Sequence, residues 1–212
     1  GCLACAAIIG RADLRHPRCA ETLAEMARCR NFAGIRFRPH RSDPDWSVDD
    51  PALRRGLAAL QALGCTEARP APMVLDVWER DTAKLPRLRA LARAFPRLSV
   101  VMDHCGGLVG PRMPAAALAQ WRHDLRLLVA CPNIFAKVGG IQMAANGFAL
   151  HERATPVGSE ELCALTLPFY GTVIDCFGPS RCMFESNFPV DKPSCSYPSC
   201  GTPSSESPPR GG

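Results

Sequence analysis

What constrains this chain most is one alternation, repeated six times: a short apolar run of strand length, then an amphipathic stretch at helical spacing. The runs are "ACAAIIG", "FAGIRFR", "PMVLDVW", "RLSVVMDHCGG", "NIFAKVGG" and "RCMFESNFP", rich in Val, Ile, Met and Phe. Between them lie "CAETLAEMAR", "DDPALRRGLAALQALG", "DTAKLPRLRALARAF", "PAAALAQWRHDLRLLVA" and "SEELCALTLPFYGTVIDCFG". The second of these is the clearest helix. It has Asp at its start, Pro51 at the second helical position, Leu53, Leu57, Leu60 and Leu63 on one face, and Gly64 as a stop. Apolar strands joined by helical crossovers predict a parallel sheet covered on both faces.

Two architectures satisfy that pattern. A doubly wound nucleotide-binding sheet would carry Gly-x-Gly-x-x-Gly after its first strand, and no such motif follows "ACAAIIG". Polar residues gather instead at the ends of several strands. The prediction is therefore an α/β fold of the TIM-type (β/α)8 barrel, incomplete, with about six β/α units visible. At 212 residues and 47% hydrophobic, the chain can bury one substantial core. The barrel is expected over residues 1–192, entered mid-domain and truncated at its N-terminal side. Residues 193–212, "PSCSYPSCGTPSSESPPRGG", read as a disordered Pro/Ser/Gly-rich tail. Residues 65–72, "CTEARPAP", read as an insertion. A barrel short of two units exposes strand edges, which leaves aggregation or a homo-oligomer open.

Composition removes several function classes. The net charge of +5 comes mostly from scattered Arg, with no basic stripe and interleaved aromatics, so nucleic acid is not an expected partner. The apolar start "GCLACAAIIG" is too short to span a bilayer and lacks a basic flank, so no membrane partner is expected either. Most of the 12 Cys stand singly in apolar segments, and Cys2-x-x-Cys5 has no second pair at zinc-site spacing. That usage fits a reducing, cytoplasmic setting.

The strand ends carry the chemistry. In order they deliver Arg36, Arg38 and His40; Asp76, Trp78 and Glu79; Asp103 and His104 before a Gly pair; Lys137 before another Gly pair; and Glu185, Asn187 and Asp191. A barrel brings all of these to one rim, around one ligand. Lys137 interrupts an apolar strand, and a buried cation needs an anionic partner, either a barrel carboxylate or a substrate carboxylate. Arg36 poses the same question unless strand alternation turns it outward. Trp78 is either core or pocket wall. His151, in the long connection "GFALHERATP", is a candidate lid residue, whereas His16 and His123 sit in polar sequence and are expected to face solvent.

In their order, "GIRFRPH", "VVMDHCGG", "NIFAKVGGIQM", "GFALHER" and "FGPSRCMFESNFPVDK" resemble the amidohydrolase-related proteins. The likeness is to the branch of L-fuconolactonase and L-rhamnonolactonase, near 2-pyrone-4,6-dicarboxylate hydrolase. The resemblance implies a barrel hydrolase acting on a small lactone or carboxylated cyclic ester, by water attack on a polarised carbonyl. It implies that His104 matches a histidine that binds metal in some members and polarises the carbonyl in others. Ser186-Asn187-Phe188-Pro189 matches the family's Ser-Asp-x-Pro, whose Asp is the general base; Asn187 can only orient water or substrate. The family's opening His-x-His has no counterpart here.

The site expected on this basis has His104, Asp103, Asn187 and Asp191 as catalytic residues. Arg36, Trp78, Lys137, His151 and Glu185 are expected to bind substrate. No metal ligand is expected in this chain, with a divalent zinc or manganese reserved for a full-length protein. Two other readings stay open: a metal-dependent decarboxylase on the same fold, and a catalytically silent barrel.

Overall fold

The computed structural model describes residues 5–38 and 45–196. Cys2, His40 and residues 197–212 of the expected tail lie outside the described residues. Among the described residues six strands alternate with five α-helices. They are β1 (Ile8–Gly10), α1 (Cys19–Met26), β2 (Phe32–Phe37), α2 (Pro51–Ala62), β3 (Val74–Val77), α3 (Leu85–Ala94), β4 (Ser99–Met102), α4 (Ala115–Leu128), β5 (Ile134–Val138), α5 (Ser159–Phe177) and β6 (Cys182–Phe184). All neighbouring strands pair in parallel, and their order in the sheet is their order in the chain. A helix between each pair of adjacent parallel strands is the repeat of a TIM barrel, here an open half-barrel with β1 and β6 at its edges.

Local chemistry explains the elements. The Asp50 carboxylate accepts from the Ala52 amide at 2.8 Å and caps α2, with Pro51 as the first helical residue. Leu53, Leu57 and Leu60 are then completely buried, each stabilising by about 2 kcal/mol. Gly64 serves the helix end differently from a left-handed stop. That conformation falls on Cys65 (φ 54°), while a Cβ on Gly64 would come within 2.6 Å of the Met73 amide. Asp81 caps the turn Thr82–Lys84 ahead of α3, and Leu85, Leu88 and Leu91 of α3 are buried.

Register decides which strand residues meet. Ile35 lies beside Leu75 and Leu75 beside Val100, and all three are buried in the core under the helices. On the alternate face Arg36 lies beside Asp76, and Asp76 beside Val101, two residues before Asp103. The charged residues within the strands thus share the inner face.

The segment expected to be an insertion folds back on the sheet. Thr66 and Arg69 exchange backbone hydrogen bonds, and the Arg69 guanidinium donates to the Phe32 carbonyl at the start of β2 and to the Ala27 carbonyl at the end of α1. The packed chain also runs past the boundary drawn at residue 192. A turn from Asp191 buries Ser194 and Cys195, and Cys195 joins Leu150, Val157 and Leu162 in a small second core. Nothing in the polarity of residues 193–196 announced this, because one turn anchored by Asp191 is enough to hold them. Among the described residues no helix is long and apolar enough to cross a membrane.

Candidate functional site

The inner face closes first around a box of four charges. Arg36, from β2, places Nε and Nη2 2.8 and 2.5 Å from Asp76 Oδ2 and reaches Asp103 at 3.2–3.3 Å. Lys137, from β5, puts Nζ 2.9 Å from both Asp76 Oδ2 and Asp103 Oδ1. Both questions raised by the sequence are thereby answered: Arg36 points inward, and the anionic partners of Lys137 are barrel carboxylates. Burial works against both cations, but Asp103 and Asp76 outweigh it and raise their pKa values.

The two carboxyls respond unequally. Burial, then the hydrogen bond and charge of Asp76, push Asp103 up to about 7. Asp76 is also penalised by burial, yet its bond from Asp103 and the nearby Lys137 and Arg36 hold it below the usual carboxylate range. The pair therefore shares one proton near neutrality, on the Asp103 side. Asp76 was named among the strand-end residues but not among the expected site residues. The signal was present: an Asp inside the apolar run "VLDV" makes the same demand for a partner as Lys137 does.

A second group stands toward the strand ends. His104 Nδ1 lies 2.5 Å from Glu185 Oε1, which also accepts from the His104 backbone N–H at 3.2 Å. Glu185 Oε2 lies 3.9 Å from Lys137 and links this group to the box. The Trp78 ring meets His104 edge-on at 6.0 Å and carries the Arg38 guanidinium at 4.4 Å on its face. Asn187 donates from Nδ2 to Asp191 Oδ1 at 2.9 Å. Burial pushes Asp191 up to about 6, Glu185 adding to the shift while Asn187 and His104 oppose it. Its Oδ2 is buried without a hydrogen-bond partner among the described residues. His104 and Asn187 both adopt left-handed backbone (φ 52° and 49°), costing about 1 kcal/mol or more each.

Arg36, Asp76, Trp78, His104 and Asn187 line one cavity of about 520 Å³, together with Arg11 and Arg38. Arg11, which follows β1, had no motif to mark it in the sequence. Asp103, Lys137, Glu185 and Asp191, expected among the site residues, stand behind this wall and do not line the cavity. His151 is not brought to the cavity; its ring lies 3.4 Å from Glu152, on an exposed turn. Glu79 is turned into the core, where it accepts from Trp46 Nε1 at 3.0 Å. His16 and His123 are exposed. A groove of about 550 Å³ between α4 and α5 contains none of the strand-end residues.

Comparison with known proteins bears on the family and the fold. The amidohydrolase family model matches residues 3–202. The L-fucono-1,5-lactonase of Burkholderia multivorans is 34% identical over 197 residues, covering 91% of this chain and 60% of its own. A crystal structure of a Burkholderia multivorans amidohydrolase with bound zinc superposes with a TM-score of 0.73 at 30% identity, over 93% of this chain and 64% of that one. A putative 2-pyrone-4,6-dicarboxylic acid hydrolase from Pseudomonas putida, at 21% identity and TM-score 0.52 over 86% of this chain and 55% of that one, shares the fold. The chain spans about 60% of the length of the curated relatives it matches.

The zinc of that relative raises the question whether these residues fit one. Among the described residues no three His, Cys, Asp or Glu groups are placed to hold a metal. Asp76 and Asp103 already face two cations, and Glu185 occupies the Nδ1 side of His104. Among the described residues the donor set does not fit a resident divalent ion.

Proposed function

The chain belongs to the amidohydrolase family, and on that premise we propose that its strand-end cavity binds a small anionic lactone or cyclic ester and opens it by water attack on the ring carbonyl. The observation that carries this reading is the convergence of Arg36, His104 and Asn187 on one cavity whose wall also includes Arg11 and Arg38. Among the described residues neither Arg11 nor Arg38 meets a carboxylate, so the cavity has cationic capacity left for a ligand. Arg36 and Asp76 of the box stand in that wall, with Lys137 and Asp103 behind them. The box adds to that field, because its two cations face two carboxyls that share a proton near neutrality. A carboxylate on the substrate supplies the missing charge.

The chemistry then needs a polarised carbonyl, an oriented water and a proton acceptor. Arg36 is held from behind by Asp76 and Asp103 and presents its free guanidinium edge to the carbonyl oxygen, where negative charge develops. Asn187 spends Nδ2 on Asp191, which leaves its Oδ1 to accept from a water and orient it. The water's proton goes to a neighbouring group, since an amide does not take it. A decarboxylase that works through a metal is not supported by this donor set.

Asn187 favours a second reading, a site that binds the anionic lactone without turning it over. One experiment separates the two. The purified chain is incubated with five- and six-membered lactones, with and without a ring carboxylate, and acid release is followed with a pH indicator. Release above buffer, faster for the carboxylated members, is the expected result. Calorimetric binding without release would establish the binding-only reading, and neither signal would overturn both.

A further inference from the structure

We propose that Glu185 is the positioning residue of this site, holding His104 as the neutral Nδ1–H tautomer with the Nε2 lone pair turned to the cavity as the proton acceptor. Its use in hydrolysis rests on the reading above; the tautomer itself does not.

Four observations converge on it. One Glu185 oxygen takes both the His104 ring nitrogen at 2.5 Å and the His104 backbone N–H at 3.2 Å, fixing ring and backbone together. Glu185 does not line the cavity and His104 does, so the nitrogen left over, Nε2, is the one with access to a ligand. The Gly pair after β5 is cut to this dyad. A Cβ on Gly140 (φ 71°) would stand 2.0 Å from His104 Nδ1, and one on Gly139 (φ 158°) would stand 2.6 Å from Glu185 Cγ. Trp78 closes the ring from another side, edge-on at 6.0 Å. Four elements, β3, β4, β5 and β6, thus contribute at their ends to the placing of one imidazole.

The choice of acceptor follows. Asp191 lies behind Asn187 and is not part of the cavity wall, and Asn187 cannot bind a proton. His104 Nε2 takes a proton from the water as its oxygen bonds to the carbonyl carbon. The tetrahedral intermediate then expels the ring oxygen, and the Nε2 proton passes to that alkoxide. The products are one hydroxy acid and the neutral imidazole, so protons balance with no further reactant. The carboxylate of Glu185 stabilises the imidazolium that forms between the two steps.

The test is spectroscopic. The chain is labelled with ¹⁵N at histidine, the His104 ring is assigned by its loss in His104→Gln, and long-range proton–nitrogen correlation identifies which ring nitrogen is protonated in the neutral form. A single Nδ1–H tautomer in the wild type is expected. Glu185→Gln loses the single-tautomer signal, Glu185→Asp retains part of it, and Gly140→Ala loses it by displacing the ring. An Nε2–H tautomer in the wild type, or an unchanged spectrum in Glu185→Gln, overturns the proposal. Where lactone turnover is present, Glu185→Gln lowers kcat by about 10²-fold with KM little changed. An equal loss in KM alone would assign Glu185 to substrate binding and overturn the positioning role. An absence of turnover with the tautomer intact fails the hydrolase reading and leaves the positioning standing.

Discussion

The box of Arg36, Asp76, Asp103 and Lys137 and the group of His104, Glu185, Asn187 and Asp191 are both buried clusters of polar side chains, yet they are built to different ends. In the box the short contacts run between opposite charges, and each cation is bound by both carboxyls. Buried pairs of this kind are hard to remove one partner at a time, because the survivor is left charged and unsolvated. Among the described residues, buried carboxylate oxygens without a hydrogen-bond partner occur in both clusters, Asp76 Oδ1 and Asp103 Oδ2 in the box and Asp191 Oδ2 in the second group. Only the second group leaves valences over on residues of the cavity wall without a charged partner: the second ring nitrogen of His104 and the amide oxygen of Asn187. The first cluster fixes the strand ends against one another. The second keeps groups in reserve, which is what the proposed binding of a ligand there requires.

That contrast can be broken most forcefully at Lys137. Lys137→Met leaves Asp76 and Asp103 facing each other with Arg36 alone, and is expected to cost about 3 kcal/mol in urea unfolding at pH 7.5. Adding Asp103→Asn should restore part of the loss. A cost below about 0.5 kcal/mol would remove the distinction between the two clusters.

The next effect carries a sign. Asp191 has a folded pKa raised to about 6, above an unfolded value of about 3.9, so the native state binds the extra proton. Its contribution is most favourable below about pH 4 and is lost as pH rises through about 6. Asp191→Asn should therefore stabilise the protein by about 2 kcal/mol at pH 8 and by little at pH 4, read from thermal melts at both. Asp103, raised to about 7, gives its loss over a window one unit higher, tempered by the opposite direction of Asp76. Asn187→Asp puts a carboxylate against Asp191 and should cost about 1 kcal/mol at pH 8, vanishing at pH 4.

Arg38→Gln sharpens the comparison from the other side. The guanidinium lies exposed on the Trp78 face and outside the box, so unfolding should move by no more than about 0.5 kcal/mol. Binding of a carboxylated lactone should weaken about tenfold, measured by calorimetry, through loss of one charge-assisted contact.

Much of the fold was legible because strand and helix periods are written in apolar residues. "VLDVW" and "DDPALRRGLAALQALG" state their own structure through Val, Leu, Asp50 and Pro51. The strand ends were legible too, since polar residues closing an apolar parallel strand need a shared destination. What could not be read was which of them pair with one another. Asp76 looked like a bystander until register set it beside Arg36. Glu185 looked like a substrate ligand until the backbone of Gly139 and Gly140 made room for its bond to His104. His151 has the right residue type in a long connection, but its turn directs it to Glu152. Pairings across β2 to β6 depend on register and close approach, and neither has a signature within one segment.

The most direct test of the account measures unfolding and lactone hydrolysis side by side in His104→Asn. Hydrolysis falling to the buffer rate, with the unfolding free energy within about 1 kcal/mol of wild type, is the result expected of a cluster kept for chemistry. An undiminished rate, or an unfolding loss as large as that of Lys137→Met, would contradict it.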